Sequence, residues 1–203
     1  MKINSAFPGL EPNFFGRPLL SLFVFLTLIT GLIYPLVVTG LAAEIFSYQA
    51  NGSLIRVHGQ FVGSRLIGQN FSQPEYFWGR LSATSPMSDN GSSSGGSNYG
   101  PLDPLLLTAV QNRIQALHHA DPNMNTPIPV DLVTASASGL DPDISLAAAE
   151  YQLSRVAKAR HVSPEWIQKR LLAQTQSVWG GFLGEPRVNV LLLNLSLDAD
   201  QTN

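Results

Sequence analysis

The sequence contains no cysteine among its 203 residues, and this absence excludes several kinds of chemistry. Disulfide bonds, thiol catalysis and thiolate-held zinc or iron–sulfur sites all require cysteine. A disulfide-stabilised extracellular domain of the eukaryotic type is disfavoured for the same reason. The four histidines form no H-x-x-x-H or H-E-x-x-H pattern, so they predict exposed or helix-capping side chains rather than a metal site. They are His58, His118, His119 and His161.

Charge is also scarce. Charged residues make up 13% of the chain, against roughly 25% in a typical soluble protein. The formal net charge is −2, so no basic field favours nucleic acid as a partner. The sequence therefore gives no electrostatic reason to expect nucleic-acid binding.

Catalytic motifs are few. No G-x-x-x-x-G-K-[ST] phosphate-binding loop occurs. Residues 91–95 match G-x-S-x-G, with Ser93 as the central serine. The hydrolase motif needs a strand before it and a helix directly after it, whereas a Ser/Gly-rich run surrounds Ser93. We interpret this stretch as a loop in a non-enzymatic protein, and keep a serine hydrolase using Ser93 as an alternative.

A long apolar run is the feature that the sequence has in excess. No charged residue occurs from Pro18 to Ala43, and about 20 apolar residues suffice for a helix to cross a bilayer. The run is too long for a signal peptide and ends without a good A-x-A-like cleavage site. It predicts a transmembrane helix over residues 17–45.

The positive charges around this helix predict its orientation. Lys2 and Arg17 precede the run, and the next basic residue after it is Arg56. Positively charged flanks stay in the cytoplasm. We therefore predict a cytoplasmic tail at residues 1–16 and an extracytoplasmic domain at residues 46–203.

Small or kink-forming residues recur every four positions within the helix: Thr27, Gly31, Pro35 and Thr39. Small residues on one face let another helix approach closely. Glycine and proline are common in membrane helices in any case. Packing against a partner helix and ordinary membrane-helix composition both stay open from this pattern.

The rest of the chain predicts an α+β domain of helices with a few strands. Residues 55–61 and 76–78 have the pattern of strands or irregular buried segments, and residues 82–100 form a Ser/Gly/Asn-rich loop. Three helices are predicted to begin after Asp103-Pro104, Asp141-Pro142 and Ser163-Pro164, since proline is favoured at the first helical position. The apolar run at residues 187–197 predicts a strand covered on both faces.

Several segments, in order, resemble the KdpC family, a component of the Kdp potassium-transporting ATPase of bacteria and archaea, over roughly residues 17–198. These segments are Arg17–Leu19, Gly63–Phe71, Tyr76–Arg80, Ser82–Thr84, Ser94–Asn98, Val133–Pro142, Arg155–Arg160 and Val188–Leu195. The resemblance implies a single-pass protein of the bacterial plasma membrane. It also implies three partners: a channel-like potassium-binding subunit, a P-type ATPase subunit and a small membrane peptide.

The resemblance further implies a non-catalytic role as a catalytic chaperone that raises the affinity of the ATPase subunit for ATP. No covalent cofactor is implied, and ATP acts at the level of the complex. An extracytoplasmic domain cannot touch cytoplasmic ATP, so this effect would pass through the membrane helices. An envelope adaptor that works without a pump is the alternative.

Neutral polar residues recur in the resembling segments of the domain. A cation entrance lined by them would neither trap potassium nor repel it, which makes them candidates for a partner or potassium-entrance surface. Ordinary turn chemistry explains the same residues. The candidates are Gln69, Asn70, Ser97, Asn98, Ser136 and Ser138. The run Ser94, Gly95, Gly96 and Ser97 is similar to a nucleotide-contacting signature of ABC transporters, but we favour a structural turn.

Overall fold

The computed structural model describes residues 16–178 and 180–199. It divides into two compact units, Met1–Gly52 and Ser53–Asn203. The predicted tail at residues 1–16 lies outside the described residues except for Gly16.

The first unit is dominated by one apolar helix, Gly16–Ile45, which is long and apolar enough to cross a membrane. It consists of α1 (Gly16–Leu28), a π turn (Ile29–Ile33) and α2 (Tyr34–Ile45). A short helix, α3 (Ser47–Ala50), follows. None of the residues in α1, the π turn or α2 is buried. The predicted N-terminal apolar helix is confirmed, and its sides are free to contact lipid or other helices.

The π turn ends at Ile33, two residues before Pro35. The Tyr34 amide donates to the carbonyl of Ile29, five residues back. Proline lacks an amide donor, and its ring crowds the carbonyl four residues earlier, here that of Gly31. Four-residue spacing drifts around an α-helix of 3.6 residues per turn. Successive residues in a π turn are rotated about the helix axis by a smaller angle than in an α-helix. The turn therefore brings Thr27, Gly31, Pro35 and Thr39 closer to one side of the helix.

The second unit begins with a hairpin of β1 (Leu54–Val57) and β2 (Gln60–Ser64). Val57 pairs with Gln60, so His58 and Gly59 form a two-residue turn. Both have positive φ, 49° and 82°, as a type I′ turn requires. The predicted strand at residues 55–61 is therefore two short strands with a turn inside the predicted range.

Within its described residues, this unit continues with four helices and three short strands. The helices are α4 (Pro104–Ala120), α5 (Leu146–Arg160), α6 (Pro164–Gln174) and α7 (Val190–Ala199). The strands β3 (Asp143–Ser145), β4 (Thr175–Gln176) and β5 (Arg187–Asn189) form an antiparallel sheet with β5 in the centre. A 3-10 turn covers Val130–Leu132. The predicted α+β class is confirmed.

Two of the three predicted helix starts are correct. The Asp103 carboxylate accepts from the Leu105 amide, and the Ser163 hydroxyl accepts from the Trp166 amide. Both act as N-caps before a proline. Sequence-local capping chemistry therefore predicts α4 and α6 directly.

The start predicted at Asp141-Pro142 is wrong. Residues 143–145 pair with β5, so the chain is extended there. The cap of α5 is Ser145, whose hydroxyl accepts from the Ala148 amide at 3.0 Å. Asp141 instead accepts from the Asp143 amide and pairs with Arg80. Pairing with a distant strand displaces the helix start by several residues.

The strand predicted over residues 187–197 is also wrong beyond Asn189. The Asn189 side chain accepts from the Leu192 amide at 3.1 Å and so begins α7. Val190, Leu191, Leu193, Asn194 and Leu197 are buried. The predicted burial is correct, but a short apolar run does not distinguish a buried strand from a buried helix.

The core contains a buried segment that belongs to no helix or strand. Phe77 and Trp78 are buried at 0% and 7% exposure. Buried backbone amides and carbonyls need hydrogen-bond partners. Asn194 of α7 supplies both for Phe77: its Oδ1 accepts from the Phe77 amide at 2.8 Å, and its Nδ2 donates to the Phe77 carbonyl at 3.0 Å.

Gln152 of α5 does the same for the next residue. Its Oε1 accepts from the Trp78 amide at 2.8 Å, and its Nε2 donates to the Trp78 carbonyl at 3.0 Å. Two side-chain amides thus replace the ladder that a neighbouring strand would supply. They also join the segment to α5 and α7.

Two buried arginines form hydrogen bonds with the backbone just before Phe77, at Pro74 and Glu75. Arg155 donates to the Pro74 carbonyl at 2.6 Å and to Gln152 Oε1 at 2.7 Å. Arg160 donates to the Glu75 carbonyl at 2.7 Å and pairs with Asp198 at 2.8 Å. Burial, with the nearby Arg113 adding to it, lowers the pKa of Arg155 to about 10. The guanidinium therefore stays charged at neutral pH and keeps its donors.

We expect Gln152→Leu to destabilise the full-length chain by about 2–5 kcal/mol, since it leaves the Trp78 amide and carbonyl buried without partners. Gln115→Leu, at an exposed position of α4, makes the same chemical change and should be nearly neutral. Urea unfolding of the purified chain, followed by circular dichroism, measures both. Equal stability of the two variants would contradict this role for Gln152.

Candidate functional site

Three separate loops meet at one surface of the second unit. We call residues 79–84, 94–98 and 133–141 the loop platform. Leu81 and Ala135 form a parallel bridge, and the Ser136 amide donates to the Leu81 carbonyl at 3.1 Å. The Ser82 hydroxyl donates to the Gly139 carbonyl at 2.7 Å. These bonds fix residues 79–84 against residues 133–141.

The Ser/Gly-rich run is the third part of the platform. The Gly95 amide and the Ser94 hydroxyl both donate to the Ser138 carbonyl, at 2.8 Å and 3.0 Å. A Cβ on Gly96 would lie 2.8 Å from the Ala137 carbonyl oxygen. A Cβ on Gly139 would lie 2.6 Å from the Gly95 carbonyl oxygen, and Gly139 has a φ of 67°. Glycine is required here because two backbones pack directly against each other.

Arg80 connects the platform to its surroundings. It pairs with Asp141 at 3.1 Å and donates to the Ala135 carbonyl at 3.2 Å. Its Nε is buried without a hydrogen-bond partner among the described residues. The Gly68 amide donates to the Leu140 carbonyl, which adds residues 63–71 to the same assembly.

An open cleft of about 430 Å³ lies between the platform and α4. Its walls are mostly apolar, with Leu106, Val110 and Tyr99 among them. At its base, Arg113 donates to the carbonyls of Leu132 and Gly79, each at 2.9 Å. Burial lowers the pKa of Arg113. The cleft is thus mostly apolar, and the Arg113 guanidinium is held in its wall by two hydrogen bonds.

A second pocket of about 60 Å³ adjoins the cleft and is mostly polar. Both are lined by Leu81, Ser82 and Arg113. Asp89 lines the small pocket, and burial raises the pKa of its carboxyl. This pocket has room for one or two water molecules, not for a nucleotide.

Comparison with known proteins places the chain. A family model described as "K+-transporting ATPase, c chain" matches residues 16–199. The chain belongs to the KdpC family. Among curated relatives named potassium-transporting ATPase KdpC subunit, one from Burkholderia cenocepacia is 59% identical over 185 residues, covering 91% of this chain and 96% of the relative.

Two further relatives give the same result. The KdpC subunit of Variovorax paradoxus is 59% identical over 183 residues, covering 90% of this chain and 95% of the relative. That of Polynucleobacter asymbioticus is 57% identical over 184 residues, covering 91% of this chain and 97% of the relative. The resemblance to the KdpC family is thus confirmed over nearly the whole chain.

The candidate entrance residues of this KdpC-family chain do not share one pocket. Ser97 lines the cleft, whereas Gln69 and Asn70 line the small pocket. Ser136 is buried at 3% exposure, and Asn98 and Ser138 are exposed. Gln69 donates to the Val62 carbonyl at 2.7 Å, which is a structural use of its amide. A potassium-entrance role for these residues stays a prediction.

The nucleotide hypothesis for Ser94–Ser97 gains no support from this geometry. The Ser94 hydroxyl and the Gly95 amide, which a phosphate would need as donors, are already bound to Ser138. The same loop lacks the surroundings of a hydrolase serine. No helix or strand lies between the bridge at Leu81 and the start of α4, so Ser93 has neither flanking element. The geometry favours structural turns.

No metal site is visible in the described part of the chain, where no group of three histidine or acidic side chains could hold an ion. All four histidines are exposed, and His161 ends α5 in the left-handed conformation, with φ 57°. The residues that sequence reasoning missed are Gln152, Asn194 and Arg155. One usable signal is Asn194, a polar residue inside an otherwise apolar run.

We expect Gly96→Ala to destabilise the chain by about 1–3 kcal/mol, because the added methyl group overlaps backbone that cannot move away. Gly91→Ala in the same loop should be nearly neutral, since nothing lies within 4 Å of the added Cβ. Thermal unfolding of the two purified variants compares them. Equal melting temperatures of Gly96→Ala and Gly91→Ala would show that residues 94–98 do not pack against residues 133–141 as described.

Proposed function

We propose that this chain is a non-catalytic subunit of a potassium-transporting ATPase, held in the bacterial plasma membrane by its N-terminal helix. One observation carries the proposal: in a KdpC-family chain, the 30-residue apolar helix Gly16–Ile45 has no side chain buried by its own protein. Such a helix needs lipid or partner helices around it. The partners would be a channel-like potassium-binding subunit, a P-type ATPase subunit and a small membrane peptide.

The second unit lies outside the cytoplasm in this proposal. Lys2 and Arg17 before the helix support this orientation through the positive-inside rule. An external domain cannot contact ATP directly. Its role as a catalytic chaperone, raising the affinity of the ATPase subunit for ATP, would then be a coupling across the membrane, typically about 1–3 kcal/mol.

The loop platform is the surface proposed to cover the potassium entrance. Its Asn98 and Ser138 are exposed and neutral, and so is Asn70, which lines the small pocket beside the platform. Neutral dipoles can face a hydrated cation without the tight electrostatic binding of a carboxylate or the repulsion of an ammonium group. The platform is also rigidly cross-linked by backbone hydrogen bonds, which suits a surface that must hold its shape beside a pore.

The route for the coupling is the helix face formed by Thr27, Gly31, Pro35 and Thr39. Small residues allow close helix approach, and the π turn keeps this series near one side of the helix. The same turn gives the helix a local departure from α geometry, which is often found at functional sites. Movement of the external domain would reach the ATPase subunit through this contact.

We expect Gly31→Leu to weaken assembly with the ATPase subunit and to raise the KM of the complex for ATP by about fivefold or more. Gly40→Leu is the matched control, because Gly40 is rotated about 140° from Pro35 in α2. At both positions an added Cβ has no atom within 4 Å outside the local helix backbone, so a difference between the two variants points to contacts outside this chain. Affinity purification of the complex followed by ATPase kinetics measures both, and identical behaviour of the two variants would contradict the proposal.

A further inference from the structure

The β1–β2 hairpin presents an uncovered face that the pump function does not account for. Leu54 and Arg56 alternate along β1, and Phe61 is paired with Arg56 across the hairpin, so the three side chains share one face. The register shifts between Ile55 and Arg56, as at a β-bulge, so Gly63 falls on the other face although it is only two residues from Phe61. Leu54 is 43% exposed and Phe61 57% exposed. The Arg56 guanidinium lies 4.0 Å from the centre of the Phe61 ring. This face is apolar, aromatic and cationic at once.

The opposite face of the hairpin is the one that packs on the domain. Gly63, which pairs with Ile55, lies against the side chains of Gln69 and Leu191 so closely that a Cβ there would overlap both. The outward orientation of Leu54, Arg56 and Phe61 is therefore fixed by packing behind the sheet. A one-residue slip would exchange the two faces.

The charged side chains in and around the hairpin are all positive. No aspartate or glutamate occurs between Glu44 and Glu75, whereas Arg56 and Arg65 both lie in this interval and are exposed. The whole chain is net acidic at −2, so this interval is a local exception. Exposed Leu66 follows Arg65 and extends the mixed apolar and basic character.

The hairpin is the first element of the second unit along the chain, and a short connection joins it to the apolar helix. Residues 46–53 join Ile45 to Leu54; fully extended, such a linker spans about 29 Å at most. Part of it is the short helix α3, which makes it shorter. Phe46 and Tyr48 within it are exposed, and aromatic side chains are favoured where a bilayer meets water.

We propose that the outward face of the hairpin contacts the headgroup region of the membrane that holds the apolar helix. Leu54 and Phe61 enter the interface, and Arg56 on the same face binds the phosphates of anionic phospholipids, with exposed Arg65 just past the end of β2 adding to the basic charge. Guanidinium groups pair well with phosphate oxygens. This contact goes beyond the pump role and rests only on the helix crossing a bilayer. It would fix the tilt of the domain relative to the membrane.

Because this chain has no cysteine, an introduced cysteine is its only thiol, and the complex with the unchanged chain gives the background labelling of the other subunits. Phe61→Cys carries a fluorophore in the test variant, and Leu102→Cys, at a position 95% exposed, carries it in the control. The purified full complex is placed in nanodiscs of phosphatidylcholine with or without phosphatidylglycerol, together with lipids bearing a headgroup quencher. We expect strong quenching at position 61, little at position 102, and more quenching when phosphatidylglycerol is present.

Replacing both arginines, Arg56→Gln with Arg65→Gln, should remove the phosphatidylglycerol dependence, since each arginine near an anionic surface contributes about fivefold to the contact. Leu54→Cys repeats the measurement on the same face if Phe61→Cys assembles poorly. Equal quenching at positions 61 and 102 would overturn the proposal. Shielding of position 61 from aqueous iodide in the nanodiscs, without quenching by the headgroup quencher, would also overturn it, because a protein partner would then cover the hairpin.

Discussion

The second unit depends on one constraint: the buried backbone of Phe77 and Trp78 has no neighbouring strand, yet its polar groups must be satisfied. The side-chain amides of Gln152 and Asn194 meet that requirement from two different helices. A buried backbone group without a partner costs about 1–3 kcal/mol, so four such groups would consume much of the stability of a domain this size. The segment therefore fixes the positions of α5 and α7 as firmly as they fix it.

The same segment leads directly into the loop platform. Gly79 accepts from Arg113 of α4, Arg80 pairs with Asp141, and Leu81 bridges to Ala135. The loop platform is thus attached to the core through consecutive residues rather than through a mobile linker. Arg155 and Arg113 both lie over the Trp78 ring, at 4.4 Å and 5.2 Å, and tie the cleft to the same point. A force applied at the platform would reach the helices of the core without passing through a flexible joint.

The sequence predicts those features that are determined by residues close to them in the chain, and it does not predict those that depend on distant residues. The caps at Asp103 and Ser163 act on amides two or three residues away, and the apolar run at 18–43 needs only its length, so these features are readable directly. The extended conformation at Asp143–Ser145 depends on β5, more than forty residues later, and the helix at Val190–Ala199 depends on the Asn189 cap and on burial from all sides. The hydrogen-bond partners of Gln152 and Asn194 could not be predicted, because the backbone groups that they bind lie 74 and 117 positions away, although Asn194 stands out as a polar residue inside an apolar run. The Ser/Gly composition indicates a loop at the platform, but the contact of Gly96 with Ala137 is a tertiary fact.

The second unit joins the loop platform to its core through the consecutive residues 77–81. Amide hydrogen exchange tests the central claim most directly. If Gln152 and Asn194 enclose the segment, the amides of Phe77 and Trp78 should exchange as slowly as that of Val156 in α5, although they belong to no regular element. Exchange at the rate of the exposed loop around Asn98 would contradict the account.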